Sequence, residues 1–484
     1  MANILIAYYY RRPYPPRASV RDHLESCGKY SGHRCFYANL GVWKVPSWLG
    51  RVPFDLIIFH TTFLSCRWGP LRFERLLRNA RPLKRSPARR IALPQDEFVY
   101  SDLLRDFIRE FQINQVFSPA PASQWPVIYD GVDRDRVQFF PVLTGYLDEA
   151  TLGRIHALQK TVDRRRVDIG YRATAARAWL GRHGMLKTEV ARRFERRAAG
   201  TDLAIDISTR KEDTCLGDDW FRFLLSSKYT LGVEGGSSLL DRDGSVRRRT
   251  EEFLEKQPDA GFSETQTACF SGLDGNLSLK ALSPRHLEAC ATRTCQILVE
   301  GEYNGVLQSG RHYLAVKPDF SNVDQVLSAV QRDDLRQEMV DRAYQDIVAS
   351  GRYSYRRFVD DVFRHALAGQ EKNRPPRTLL QRAGYGFLWR GLRVLDRCAW
   401  GIVMVVSAVL ARHERRVGRR KHPSSSQASS EQPTPNREMD PKPISTPTAD
   451  EFPATRAPHF PAPGMAPVRH AETAAPAIPP ARSD

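Results

Sequence analysis

The amino-acid sequence predicts an α/β protein made of two doubly wound, Rossmann-like domains with a cleft between them. Short apolar runs alternate with segments of helical periodicity over residues 1–150, which is typical of a parallel sheet covered by helices on both faces. The same alternation begins again near residue 166 and continues to about residue 330. A chain of 484 residues is long enough for two such domains and an additional segment.

The elements of the first half follow from its apolar runs. The run Phe-Asp-Leu-Ile-Ile-Phe-His at 54–60 is short and nearly continuous, as expected of a strand buried on both faces. The predicted strands are residues 3–9, 54–60, 90–94 and 115–118, and the predicted helices between them include 18–27 and 101–111.

The second half repeats the pattern with clearer helix signals. Ser283 followed by Pro284 is a typical helix start, because serine caps the first turn and proline fits its first position. The predicted strands are residues 167–171, 203–207, 229–233, 295–299 and 313–316, and the predicted helices are 186–198, 220–225, 284–291 and 323–330.

The net charge of +18 is concentrated near the end of the chain. Residues 372–421 hold 13 lysines and arginines against two acids, whereas the body carries no dominant basic surface. The uncharged stretch 398–411 within this segment is shorter than the roughly 18–20 residues that a membrane span needs. We therefore expect residues 372–421 to associate with an anionic membrane surface, and we expect no nucleic-acid partner. A tilted single span and a buried core helix are the alternatives for residues 398–411.

The sequence therefore divides into four regions. Residues 1–150 form an N-terminal Rossmann-like domain, residues 151–371 form a second Rossmann-like domain, and residues 372–421 form the membrane-associating segment. Residues 422–484 are rich in proline, serine, alanine and threonine, which predicts a disordered tail.

Cysteine usage and the N-terminus indicate the compartment. The eight cysteines form no C-x-x-C pair, which is typical of free thiols in a reducing environment. The first apolar run precedes Arg11 and Arg12, whereas a signal peptide places its positive charges before the apolar run. The sequence thus predicts a cytoplasmic protein that is peripheral to the cytoplasmic face of the membrane.

Several motifs of the second half suit the binding of a nucleoside diphosphate. Arg285 lies in the first turn of the helix that begins after Ser283. Glu288 lies one turn further on, where its carboxylate could accept hydrogen bonds from ribose hydroxyls. A capped surface helix with an Arg/Glu pair is the plainer alternative. Gly235 and Gly236, after the strand at 229–233, are further candidates for this site, because their backbone can approach an anion closely.

These motifs give the chain a family resemblance. The run from Ser283 through Leu298, the segment Tyr-Leu-Ala-Val-Lys-Pro-Asp-Phe-Ser-Asn and the closing helices to Tyr355 resemble the C-terminal half of a GT-B glycosyltransferase. The resemblance is to the family-1-like bacterial transferases of surface-polysaccharide pathways. It implies a nucleotide-sugar donor bound by the second half, and a glycan or lipid-linked acceptor held by the first. In such proteins basic residues after the first strand of the second half hold the pyrophosphate, so the resemblance makes Arg172, Arg182 and Lys187 candidate donor-binding residues. The stereochemical outcome stays open, because Lys280 stands where related retaining enzymes have a glutamate.

A transferase of this kind needs a base for the acceptor hydroxyl. His60, Asp96 and Glu97 are the candidates, because each follows a predicted strand at the edge where such sheets bind ligands. A lone histidine at a strand end is also a common structural residue. The sequence Asp241-Arg242-Asp243-Gly244 is typical of a turn, so we expect neither a metal nor another cofactor.

Two other classes of function remain open at this stage. One is a nucleic-acid-binding or membrane scaffold protein that uses the basic segment. The other is a sugar-nucleotide epimerase on the same fold, since fold alone does not determine activity.

Overall fold

The computed structural model describes residues 1–11, 18–42, 44–369 and 383–398, together with the single residues 401, 405 and 409. All of these residues belong to one compact unit, Met1–His422. The tail 422–484 and most of the predicted membrane-associating segment lie outside the described residues, as do residues 12–17.

The first half is a six-stranded parallel sheet in the order β2-β1-β3-β4-β5-β6. Every residue of the central strands β1 and β3 is buried, as their apolar runs predict. The elements are β1 Asn3–Tyr8, α1 Ala18–Tyr30, β2 Arg34–Asn39, β3 Leu56–Phe59, α2 Thr61–Leu64, α3 Pro70–Ala80, β4 Arg89–Ala92, α4 Ser101–Glu110, β5 Gln115–Ser118, α5 Trp125–Ile128 and β6 Gln138–Pro141.

The second half contains a five-stranded parallel sheet in the order β13-β12-β9-β7-β8, and a separate antiparallel pair of β10 with β11. Its elements are α6 Glu149–Gln159, β7 Val167–Arg172, α7 Gly181–Ala198, β8 Ile205–Ser208, α8 Asp218–Ser226, β9 Ser227–Gly232, β10 Gly235–Ser237, α9 Ser245–Lys256, α10 Phe262–Phe270, β11 Leu279–Ala281, α11 Pro284–Ala291, β12 Cys295–Val299, β13 Tyr313–Val316, α12 Val323–Val330 and α13 Asp333–Ala343.

Two later helices return to the first half. Helix α14, Tyr355–Leu367, packs its apolar side chains into the core formed by β1 and α1. A final helix over residues 383–398, called α15, contacts the same half near Cys35 and Pro53. Among the described residues, no helix is both long enough and apolar enough to cross a membrane.

The predicted fold class is confirmed, since both halves are parallel sheets with helices between the strands. The edge strands β2 and β6 were not predicted from periodicity. No residue of β6 is fully buried, and the sequence Arg-Cys-Phe-Tyr-Ala-Asn of β2 mixes polar with apolar residues. Edge positions tolerate such patterns because one side of the strand lacks a partner.

Candidate active site

Two adjoining cavities lie at the carboxyl ends of the strands. The basic cavity, of about 290 Å³, belongs to the second half and is lined by the basic residues Arg172, Lys187 and Arg285. The bridging cavity, of about 250 Å³, is lined by both halves, including His23 and Asp96 from the first. Both cavities share Lys187, Gly235 and Ser283, so together they form one groove across the cleft.

Lys187 stands where the two cavities meet. It projects from α7, and its Nζ forms no hydrogen bond or ion pair with any residue that the structure describes. Burial lowers the pKa of Lys187, while the nearby Asp96 carboxylate acts in the opposite direction. A desolvated ammonium group without a direct partner is poised to bind an anionic ligand.

Arg285 reaches the basic cavity from the start of α11. Its guanidinium donates to the carbonyl oxygen of Arg172 and lies over the Trp220 ring, 5.0 Å from the ring centre. Trp220 in turn donates its indole N–H to Glu288 at 2.7 Å. Glu288 is therefore near the cavity but does not line it, and its described contact orients Trp220 beneath Arg285.

Arg172 lines the basic cavity, but its guanidinium already has protein partners. Both oxygens of Asp206 accept from its guanidinium at 2.8 Å, and the guanidinium lies 4.4 Å from the centre of the Phe223 ring. This bidentate pair anchors β7 to β8 and leaves Arg172 less available to a ligand than Lys187 or Arg285.

Ser283 caps α11, as the sequence predicts. Its Oγ accepts from the backbone N–H of Arg285, and its carbonyl oxygen accepts from that of His286. Since the cap already uses these N–H groups, α11 offers a ligand mainly its dipole and the Arg285 side chain.

The predicted Gly-Gly element is a short strand rather than an open phosphate loop. Gly236 has a φ of +124°, and a Cβ there would lie 2.0 Å from the carbonyl oxygen of Leu279 in β11. The close antiparallel pairing of β10 with β11 therefore requires glycine at this position. Gly235 lines both cavities through its backbone.

Arg182 lies outside both cavities. Its side chain is 76% exposed, and its backbone N–H donates to the Asp274 carboxylate, which also accepts from Ser238. Because Arg182 is the second residue of α7, this contact fixes the start of the helix that carries Lys187.

Asp96 lies across the cleft, on the loop after β4. Its side chain is exposed to the solvent of the cleft, yet the surrounding protein weakens its hydration and raises its pKa. Arg67 and Lys187 favour its charged form. Asp96 is thus the candidate base with the most direct access to the groove.

The loop that carries Asp96 is held by Arg67, whose side chain is fully buried. The Arg67 guanidinium donates to the carbonyl oxygens of Leu64, Gln95, Asp96 and Val99. Asp96 adopts a φ of +53°, a conformation that this clamp maintains. No sequence pattern reveals Arg67, because its partners are backbone atoms.

Glu97 is among the residues that line the bridging cavity, but its side chain is held by groups of the first half. Its Oε1 accepts from the Ser118 hydroxyl at 2.5 Å and from the Tyr129 hydroxyl at 3.1 Å, and its side chain is fully buried. Burial raises the pKa of Glu97. It supports the Asp96 loop from within the first half.

His60 lies behind the bridging cavity rather than in its wall. Its Nδ1 accepts from the backbone N–H of Thr62 at 3.2 Å, which caps α2, and its Nε2 lies 2.8 Å from Nδ1 of His23. His23 itself lines the cavity, so the structure brings His23 rather than His60 to the groove. Burial lowers the pKa of both histidines, that of His23 to about 4, so the pair is neutral at pH 7.

The two aspartates of the D-x-D-G turn accept hydrogen bonds from nearby backbone N–H groups. Asp241 accepts from the N–H groups of Val246 and Arg247 and caps α9, and Asp243 accepts from that of Ser245. Among the described residues, no group of three or more histidine, cysteine, aspartate or glutamate side chains could hold a metal ion.

No protein-family model and no curated protein matches the sequence. Among solved structures, the chain is similar to HepE from Anabaena in complex with UDP-glucose, at 9% identity over 75% of this chain and 100% of that one, with a TM-score of 0.42. It is also similar to the DNA-modifying enzyme β-glucosyltransferase, at 12% identity over 75% and 99% of the two chains, with a TM-score of 0.43. A third similar structure is sucrose-phosphate synthase from Thermosynechococcus elongatus, at 10% identity over 76% and 100%, with a TM-score of 0.38.

The architecture follows from the sheets of this chain themselves. Two parallel sheets, each with helices between its strands, contribute their carboxyl ends to one groove. This arrangement of two α/β halves agrees with the fold that the sequence resemblance implies.

Proposed function

We propose that the protein is a glycosyltransferase that moves a sugar from a nucleotide-sugar donor to a hydroxyl acceptor. The observation that carries the proposal is the continuous groove across the two halves. Cationic side chains line it on one side, and the carboxylate of Asp96 lies on the other. Group transfer between two substrates requires such a site, where each half binds one partner.

The basic cavity suits the donor. Lys187 and Arg285 would bind the diphosphate, because Lys187 has no competing partner among the described residues and Arg285 stands at the positive end of the α11 dipole. Trp220 supports Arg285 from below. The cation pair would also stabilise the departing nucleoside diphosphate, so the proposed mechanism needs no metal or other cofactor.

The bridging cavity suits the acceptor and the chemical step. Asp96 would take the proton of the acceptor hydroxyl while the hydroxyl oxygen attacks the anomeric carbon of the sugar. The bond from that carbon to the diphosphate oxygen then breaks, and its electron pair leaves with the diphosphate towards Lys187. The support for this step is that Asp96 and Lys187 line the same cavity.

The acceptor belongs, in this proposal, to a cell-surface polysaccharide pathway and is a glycan or a lipid-linked glycan. The support is the sequence resemblance and the polar wall that His23, Thr61 and Gln95 give to the first-half side of the cavity. We place the reaction at the cytoplasmic face of the membrane, on the basis of the free cysteines and the basic segment.

A donor panel tests the proposal. UDP-, GDP-, CMP- and dTDP-sugars are incubated with the full-length protein, and release of the nucleotide is measured with and without a glycan acceptor. We expect one donor class to be turned over, with loss of turnover in Asp96→Asn and Lys187→Met. Arg192→Met is the matched control, because Arg192 is an exposed cation on the same helix as Lys187.

The other outcomes identify the competing functions. Conversion of the sugar into its epimer without nucleotide release would assign the groove to an epimerase. Tight, salt-dependent binding of random oligonucleotides without any donor binding would assign the chain to the nucleic-acid-binding class.

A further inference from the structure

Helix α15 has one face docked on the first half. Tyr385 donates its hydroxyl to the carbonyl oxygen of Pro53 at 2.6 Å, and Trp389 donates its indole N–H to that of Cys35 at 3.0 Å. Leu392 is 3% exposed on the same face. These contacts recur at three- and four-residue spacing, so they hold one stripe of the helix against the protein.

The opposite face of α15 is apolar and open to solvent. Phe387, which is 82% exposed, and Val394, which is more than half exposed, lie on this face, and Leu395 is more than half exposed on its flank. Val405 and Val409, which follow in the chain, are exposed as well. A helix with a second apolar face that no described residue covers leaves a surface that favours another apolar environment.

An arginine stripe borders this open face. Arg390, Arg393 and Arg397 are exposed and lie between the docked stripe and the apolar one. The only acid of the helix, Asp396, is turned inward, where it accepts from the Tyr8 hydroxyl, and burial raises its pKa to about 6. The outward surface therefore combines apolar side chains with the positive charge of three exposed arginines.

The chain beyond α15 continues the same combination. Residues 398–411 contain no charged side chain, and residues 412–421 hold six lysines and arginines against one acid. Apolar residues followed by clustered cations are typical of segments that lie in the interface of an anionic bilayer.

The direction of α15 relates this surface to the cleft. Its first turn contacts Pro53, which precedes β3, and its last turn contacts Tyr8 at the carboxyl end of β1. The helix thus runs from the amino edge of the first sheet to its carboxyl edge, the edge at which the bridging cavity opens.

We propose that the outward face of α15 docks the protein on an anionic membrane surface. Phe387, Val394 and Leu395 enter the interfacial layer, and the arginine stripe binds lipid phosphates. The cleft edge of the first half is then held beside the bilayer. This inference is independent of the proposed reaction, because it depends only on α15 and its contacts.

Flotation of the full-length protein with phosphatidylglycerol–phosphatidylcholine vesicles tests the proposal. We expect Phe387→Asp to reduce the partition coefficient more than tenfold, and Arg390→Gln combined with Arg397→Gln to reduce it about tenfold or more. The wild-type protein is expected to bind pure phosphatidylcholine far more weakly.

The controls are matched in exposure and chemistry. Leu71, which is 83% exposed on α3, gives the apolar control Leu71→Asp, and Arg72→Gln with Arg75→Gln gives the charge control. Both controls should float like the wild type, and all variants should keep the wild-type melting temperature.

Three results would overturn the proposal. Flotation of Phe387→Asp equal to the wild type would mean that the open face does not bind lipid. Equal losses in the α3 controls would mean that vesicle binding is not specific to α15. A vesicle-independent dimer that Phe387→Asp dissociates would assign the face to a second copy of the chain.

Discussion

Replacement of Lys187 by methionine is the sharpest test of the candidate donor site. The change removes the ammonium group and keeps a side chain of similar length, so the shape of the groove is preserved. In the free protein, burial already disfavours the charge of Lys187, as its lowered pKa indicates. We therefore expect the variant to have an unchanged or slightly higher melting temperature, although Asp96 loses a nearby cation.

Nucleotide binding should change in the opposite direction. A hydrogen bond from a charged group to a diphosphate contributes about 1.5–3 kcal/mol, which corresponds to an affinity loss of about 10- to 150-fold. Isothermal titration calorimetry with the nucleoside diphosphate of the donor measures this loss directly. Lys187→Arg should retain part of the affinity, because it keeps the charge but not the point-like geometry.

The exposed residue Arg192 supplies the comparison that isolates position from charge. Arg192→Met removes one positive charge from the same helix but lies on its solvent side, so its dissociation constant should stay within twofold of the wild type. The reasoning fails if Lys187→Met also stays within twofold, or if Arg192→Met weakens binding as much as Lys187→Met does.

Four further outcomes are expected. Glu288→Ala should weaken nucleotide binding by about 2- to 12-fold, because the Trp220 indole loses its hydrogen-bond acceptor. Glu288→Gln should bind almost normally in the same titration, since an amide oxygen can still accept a hydrogen bond from the indole N–H. Equal losses in the two variants would indicate that the carboxylate contacts the ligand directly. Arg67→Met should lower the free energy of unfolding in urea by about 3–5 kcal/mol, because four carbonyl groups lose a buried partner; a change below about 1 kcal/mol would contradict the clamp. Burial lowers the pKa of His23 and His286 to about 4, so the unfolded chain binds more protons than the folded chain as the pH falls from about 6.5 towards 4. The free energy of unfolding, measured in urea titrations, should therefore fall over that window by about 3 kcal/mol per histidine. A flat profile would mean that neither histidine is buried in its neutral form. Turnover should survive EDTA, because Asp241 and Asp243 already accept backbone N–H groups, and rescue of a lost activity by Mg²⁺ or Mn²⁺ would contradict this.

Local sequence patterns determined the elements of this protein. Apolar runs such as Leu-Ile-Ile-Phe in β3 can be buried on both faces only inside a covered parallel sheet, so the fold class followed from them. The cap of α11 by Ser283 was equally local, because serine and proline act within a single turn. The placement of Lys187, Arg285 and Asp96 near strand ends also followed, since parallel strands bring their carboxyl ends to one edge.

Tertiary structure decided which of these side chains are free to act. Arg172 and Arg182 carry the same charge in the sequence, but Asp206 holds the first and the second is 76% exposed beside Asp274. His60 and His23 are 37 residues apart, and only their packing reveals that His23 reaches the cavity while His60 caps a helix. Arg67 was invisible for the same reason, because its partners are backbone oxygens brought together by the fold. Periodicity reports which face of an element is buried, whereas the partner of each polar group depends on segments far away in the chain.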